Sequence, residues 1–400
     1  MTRHPHANRR PARVAAVAFL LLLTLAGCAV NPTSQAPNRP ASTPSRTPTP
    51  TASPAEIAAG KKLSTMTQAE KIASLLMLHL PGTDAAAMRA FVDRYAPGGL
   101  IFMGDNIAGS PEDTAALAAA VSADSRFPLL IGIDQEGGDV RRIPSDEWPS
   151  ALTLKDLPGS EAERAFGLRS DLLDRSGVSV NFGIVADVTA DPASFIYRRA
   201  LGTTPESAGE RVAAAVAGER GKVLSTLKHF PGHGAAPGDS HTSVPSTDKT
   251  LQEWKATDAV PFIEGIAADA PIVMFGHLNY RAIDPAPASL SPVWHSILRD
   301  DLGFDGIIIT DDMLMLRNTG LPEYQNSSEN AIRALAAGTT MLLFVLGSSP
   351  AVDGVDPAVL LTDIGHAVDT GRISTQQIDD AALKLLIGRF ETGVKTDQLR

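Results

Sequence analysis

The sequence predicts an α/β fold: a single (β/α)8 barrel of the TIM type, preceded by a signal peptide and a disordered linker. Three observations carry this. Short apolar, β-branched runs recur about eight times between residues 75 and 345, as buried parallel strands do. Amphipathic helical stretches separate most of them, and strand–helix alternation is the pattern of a parallel sheet wrapped by helices. Polar residues able to do chemistry fall just past the ends of the runs, namely Asp134, Lys228 with His229, His277 and Asp311. In a barrel those ends converge on one mouth. An open doubly wound sheet is the competing architecture on the same pattern.

Taken in order, residues 1–27 have the form of an export signal. Arg9, Arg10 and Arg13 precede an apolar run, 14–26, that is short for a membrane span. The run ends Leu25-Ala26-Gly27-Cys28, which resembles the lipobox of bacterial lipoproteins and implies cleavage before Cys28 and lipidation of its thiol. An ordinary secretory signal or an uncleaved anchor is the alternative. Residues 28–54 are dominated by Pro, Ser, Thr and Ala, with too little apolar bulk to seed a core, so a hydrated, extended tether is expected. Residues 55–400 are expected to form one barrel domain, the catalytic one. Its strands are expected at 75–80, 99–103, 129–133, 178–184, 223–227, 272–275, 306–310 and 340–345. Helices are expected at 111–123, 160–176, 205–221, 251–268, 293–300 and 328–337, among others.

Composition narrows the chemistry. A formal net charge of −10 over 400 residues, with no basic face beyond the N-terminus, argues against nucleic acid as a partner. The single cysteine, Cys28, rules out an internal disulfide, a thiolate metal cluster and a cysteine nucleophile in the body of the chain. Carboxylates, imidazoles and hydroxyls must do the work.

Two stretches stand out. In 228–241, a lysine and a histidine leave a strand directly into a loop of glycines and prolines, where Asp239 and His241 are one residue apart. A carboxylate so placed fixes an imidazole tautomer and suits the pair to proton transfer. A metal set of His229, His233, Asp239 and His241, or plain loop hydrogen bonding, is the other reading, although the spacing matches no common metal motif. In 307–312, an Ile-rich run delivers Asp311 and Asp312 to a strand end. Either could cap a helix. Asp311 is the candidate nucleophile, able to attack an anomeric carbon, and Asp312 is assigned structural work. Asp134 opens a third strand-end segment, Asp-Gln-Glu-Gly-Gly.

Together, Lys228-His229-Phe230-Pro231-Gly232-His233-Gly234 with Asp239-Ser240-His241, the segment Gly132 through Gly138, and Thr310-Asp311-Asp312-Met313 resemble glycoside hydrolase family 3, specifically its bacterial β-N-acetylglucosaminidases. The resemblance spans most of residues 65–390. It implies a TIM-type barrel and a retaining mechanism, with Asp311 as nucleophile, His241 as acid/base and Asp239 as its orienting partner. It further implies that Asp134, Arg142, Arg199, Lys228 and His229 hold N-acetylglucosamine. Two departures accompany it. Asp139 stands where the family commonly has arginine, and Arg199 opens Arg-Ala-Leu-Gly where the family tends to Arg-Ser-Phe-Gly.

The expected function is hydrolysis of terminal β-linked N-acetylglucosamine from peptidoglycan-derived glycans or muropeptides, by a monomer lipid-anchored to the outer face of the cell membrane. No cofactor and no metal are expected. A phosphorylase using the same site, and a catalytically silent sugar-binding lipoprotein, are the alternatives.

Overall fold

The structure, a computed structural model, describes residues 52–347 and 349–398. The export signal, Cys28 and nearly all of the 28–54 tether lie outside the described residues. From Ala52 the chain is one compact unit. Ser53 caps the helix Pro54–Leu63 by accepting from the Glu56 N–H, and Glu56 answers to the Ser53 N–H. This capping box starts regular structure at the last residues expected of the tether.

Eight strands form one parallel sheet: β1 (Leu76–Leu78), β2 (Gly99–Phe102), β3 (Leu130–Ile133), β4 (Val180–Val185), β5 (Leu224–Phe230), β6 (Ile272–Phe275), β7 (Ile307–Thr310) and β8 (Leu342–Phe344). Their order is β8-β1-β2-β3-β4-β5-β6-β7. Each of the eight expected runs overlaps one strand, because most are apolar and can be buried on both faces; β5 runs three residues beyond the expected 223–227, so Lys228 and His229 lie within it and not past its end.

The β7–β8 seam nearly closes the barrel, through a parallel bridge between Ile309 and Met341. Hydroxyls take part in it: Ile308 N–H donates to Thr340 Oγ1 and Leu343 N–H to Thr310 Oγ1, each at 3.1 Å. This closure excludes the open doubly wound sheet. Gly132 shows how tightly the interior is filled, since a Cβ there would lie 2.6 Å from the Phe182 ring.

Helices follow the strands in turn, among them Ala85–Tyr95, Pro111–Val121, Gly159–Arg175, Pro205–Glu219, Ser327–Ala337 and Pro357–Asp369. The terminal helix Thr375–Gln398 packs against Pro54–Leu63. No helix of the described residues is long and apolar enough to cross a membrane.

Two helix expectations are corrected, and one small element is added. The helix expected at 251–268 is two, Leu251–Ala256 and Ala259–Ala267. Pro261 has no N–H to bond the carbonyl four residues back, and its ring would collide with that carbonyl in a continuous helix. The helix expected at 293–300 is Pro292–Ser296 running into the wider turn Ile297–Asp301. A small parallel pair, Ser246–Thr247 with Asn279–Tyr280, joins the loops that leave β5 and β6 and was not expected.

Candidate active site

The strands are parallel, so the residues that follow them emerge at one end. Asp134 and Glu136 follow β3, Asp187 follows β4, His277 follows β6 and Asp311 follows β7, while Lys228 and His229 lie near the end of β5. Successive side chains of a regular strand point to opposite faces. The register of β5 slips against β6 between Leu227 and Phe230, across these two residues, and against β4 just before them, between Asn181 and Ile184, and such irregularities re-aim side chains. Both Lys228 and His229 thereby engage the carboxylates of the mouth.

Lys228 is the hub. Its buried Nζ lies 2.8 Å from Asp134 Oδ1 and 2.7 Å from Glu136 Oε1. Arg142 Nη2 reaches Asp134 Oδ2 at 3.1 Å. Arg199 grips Glu136 with two parallel bonds, Nε to Oε2 at 2.9 Å and Nη2 to Oε1 at 2.7 Å, the fork geometry that makes such pairs strong. Burial alone would raise the Asp134 carboxyl, but Lys228 and Arg142 hold it well below the carboxylate range. The same balance, with Arg199 and Lys228 as the cations, keeps Glu136 low. Burial would lower Lys228, and Asp134 and Glu136 raise it instead. The cluster is therefore fully charged.

Beside it, Asp187 orients His229: Oδ2 lies 2.7 Å from His229 Nδ1, while Oδ1 accepts from the His229 N–H and the His233 N–H. With Nδ1 donating to Asp187, Nε2 of His229 faces Arg199 Nη2 at 3.4 Å. Trp254 Nε1 donates to Pro231 O, and Tyr280 Oη to Gly232 O, each at 2.8 Å. These bonds fasten the root of the loop that carries Asp239 and His241. Gly232 has φ +128°, open to glycine but strained for other residues.

Asp311 is half-buried, and its Oδ1 accepts from the Asp312 N–H at 2.8 Å. Burial would raise its carboxyl, yet the His229 and His277 rings, that N–H and Lys228 hold it below its ordinary value. It is an ionised carboxylate at the sheet rim. Asp312 behaves differently. Its Oδ1 accepts from the N–H groups of Leu314 and Val345, tying the end of β7 to β8, and burial pushes its carboxyl up to about 7. His277 bridges Ser289 Oγ at 2.7 Å and Asp312 O at 3.0 Å. Since a carbonyl only accepts, Nε2 carries the proton and Nδ1 accepts from the hydroxyl.

His241 Nδ1 lies 2.6 Å from Asp239 Oδ1, which also accepts the His241 N–H at 2.9 Å. The Asp–His pair is thus formed, with both side chains about half exposed to solvent. Rings connect it to the mouth: His241 meets Phe195 at 5.7 Å between centroids, Phe195 meets His233 at 5.6 Å, and His233 meets His229 at 6.0 Å.

All five residues expected to hold the sugar fall in this cluster or its edge. Glu136 and Asp187 have no role in the sequence reading, where His277 is only a strand-end polar residue and His233 only a member of the alternative metal set. Asp187 follows β4 as Asp134 follows β3, so the strand-end rule could have found it. Glu136 sat inside an already quoted motif. The departure at Asp139 has a partner, since Arg198 binds it through Nε at 2.6 Å and Nη2 at 3.2 Å. Among the described residues no group of three or more His, Cys, Asp and Glu side chains is arranged to hold a metal ion.

A parallel barrel with ionised carboxylates, fixed cations and imidazoles gathered at one mouth has the layout of a barrel enzyme's active site. Residues 67–387 match the family described as the Glycosyl hydrolase family 3 N terminal domain. A Beta-hexosaminidase of Pseudomonas aeruginosa is 34% identical over 273 residues, 66% of this chain and 80% of that protein. One of Methylococcus capsulatus is 35% identical over 267 residues, 65% and 78% of the two chains. Among solved structures, a glycoside hydrolase family 3 beta-N-acetylglucosaminidase from Paenibacillus superposes with a TM-score of 0.76 at 29% identity. The match covers 83% of this chain and 64% of that longer one. M tuberculosis LpqI gives 0.72 at 28% identity, covering 84% and 95%. The chain belongs to glycosyl hydrolase family 3 and is a glycosidase.

Proposed function

We propose that the protein is a retaining exo-β-N-acetylglucosaminidase that removes terminal β-linked N-acetylglucosamine from peptidoglycan fragments. The Beta-hexosaminidase relatives support the sugar. One observation carries the mechanism: an ionised Asp311 and an Asp239–His241 pair leave the same end of the barrel, around a charged cluster suited to hydroxyls. Asp134, Arg142, Arg199, Lys228 and His229 hold the sugar. The Asp311 carboxylate attacks C1 as the glycosidic C–O bond breaks, and His241 gives its proton to the departing oxygen. Water then attacks C1, His241 takes the proton, and the bond to Asp311 breaks. Asp239 holds the imidazole in place through both steps.

Proton NMR of the first products from a defined muropeptide tests this. The account expects β-N-acetylglucosamine before mutarotation, with or without added phosphate. The α-anomer, or a sugar 1-phosphate, would overturn it. The export signal and Cys28 support anchoring by lipid to the outer face of the cell membrane. Replacing Cys28 with serine is then expected to move the protein from the membrane to the aqueous fraction, and an unchanged membrane pool would sink the anchor.

A further inference from the structure

The cluster that would hold the terminal sugar is made of charges, and it offers no apolar face. One apolar surface stands at its edge. Phe195 is 39% exposed, and among the described residues it is the sole phenylalanine, tyrosine or tryptophan left exposed. An aromatic ring gains much by burial, yet this one is held on a loop after β4 among polar groups. Its neighbours are the His233 ring at 5.6 Å, the His241 ring at 5.7 Å and the Arg199 guanidinium at 5.8 Å. His241 meets it edge to face, at 73°. Close by, Arg198 is bound to Asp139 and joins this loop to the one after β3.

We propose that Phe195 is the shelf of the leaving-group subsite and stacks the pyranose ring of the sugar being released. The proposal rests on the acid role of His241 set out above. A general acid gives its proton to the glycosidic oxygen, so that oxygen must come within hydrogen-bond reach of the imidazole. The ring on the far side of that oxygen then lies against whatever adjoins the imidazole, and what adjoins it is Phe195. A pyranose presents a polar rim and an apolar C–H face. The charged cluster serves the rim of the terminal sugar, while the exposed phenyl ring serves the face of the next one. The subsite therefore selects glycans whose leaving group is itself a hexopyranose.

The test compares kcat/KM for two substrates that share the terminal sugar. One is a β-1,4-linked N-acetylglucosamine disaccharide; the other is methyl β-N-acetylglucosaminide, whose leaving group has no ring. F195A is expected to lose about tenfold on the disaccharide, mostly in KM, in keeping with about 1.4 kcal/mol. It should stay within about twofold on the methyl glycoside. F195W, which keeps an aromatic face, should restore the disaccharide. Equal loss on both substrates would mean that Phe195 only positions His241, and no loss on either would mean that it touches nothing in the reaction; each overturns the shelf. A wild-type protein inactive on both substrates would instead overturn the reading beneath it.

Discussion

Two adjacent aspartates at the end of β7 have opposite fates, and their surroundings decide which. Asp311 lies within the field of His229, His277 and Lys228 and stays ionised. Asp312 has two backbone donors and no cation among its influences, so burial wins and lifts it to about 7. That contrast leaves Asp311 ionised, as the proposed nucleophile must be, and Asp312 bonded to the backbone, a difference in surroundings that the sequence does not encode. His241 is the residue whose role is most exposed to kinetics. Removing a general acid hurts most where the leaving group most needs its proton. H241A is therefore expected to slow the glycosylation step on a natural disaccharide by about 100-fold or more, and far less on an activated aryl glycoside. Pre-steady-state measurement of that step on both substrates checks this. Equal losses would remove the acid role from His241.

At the scale of elements, the barrel buries polar groups that were invisible to pattern reading. Glu219 ends the helix Pro205–Glu219 fully inside the protein, where its Oε1 accepts from Asn181 Nδ2 of β4 at 2.5 Å and its Oε2 has no partner. Asn181 in turn bonds the backbone of Gln135, between Asp134 and Glu136. Burial pushes the Glu219 carboxyl up to about 7, against about 4.3 in an unfolded chain. Between those values the folded state holds a proton that the unfolded state has released, so stability falls as pH rises through that window. The loss is complete above about 7. E219Q keeps a neutral side chain of the same shape and should flatten the decline in urea midpoint between pH 5 and pH 8. Parallel profiles for variant and wild type would show that Glu219 does not titrate in this range. Strand existence, by contrast, was readable, because most strands are short apolar runs that the barrel buries on both faces, with the polar residues of β4 and β5 as the exceptions. The break before Pro261 was also readable in principle, and amphipathic period outweighed it.

For the whole molecule, strand–helix alternation predicts the barrel, and the rule that strand ends share a mouth places Asp134, Lys228, His229 and Asp311 together. Ion-pair partners were harder to read. Glu136 and Asp187 act through contacts with residues 63 and 42 positions away in sequence, which local periodicity does not encode. Phe195 was missed for a related reason: a lone aromatic in a loop reads as ordinary, and its meaning comes from the rings folded around it.

The proposed mechanism requires Asp311 to form a covalent bond to the sugar. Reaction with a fluorinated N-acetylglucosaminyl donor that glycosylates quickly and hydrolyses slowly, followed by proteolysis and peptide mass mapping, measures this directly. The account predicts one N-acetylglucosaminyl-derived adduct, on the Asp311 side chain. An adduct on Asp312 or Asp134 would contradict it, as would release of inverted sugar with no adduct at all.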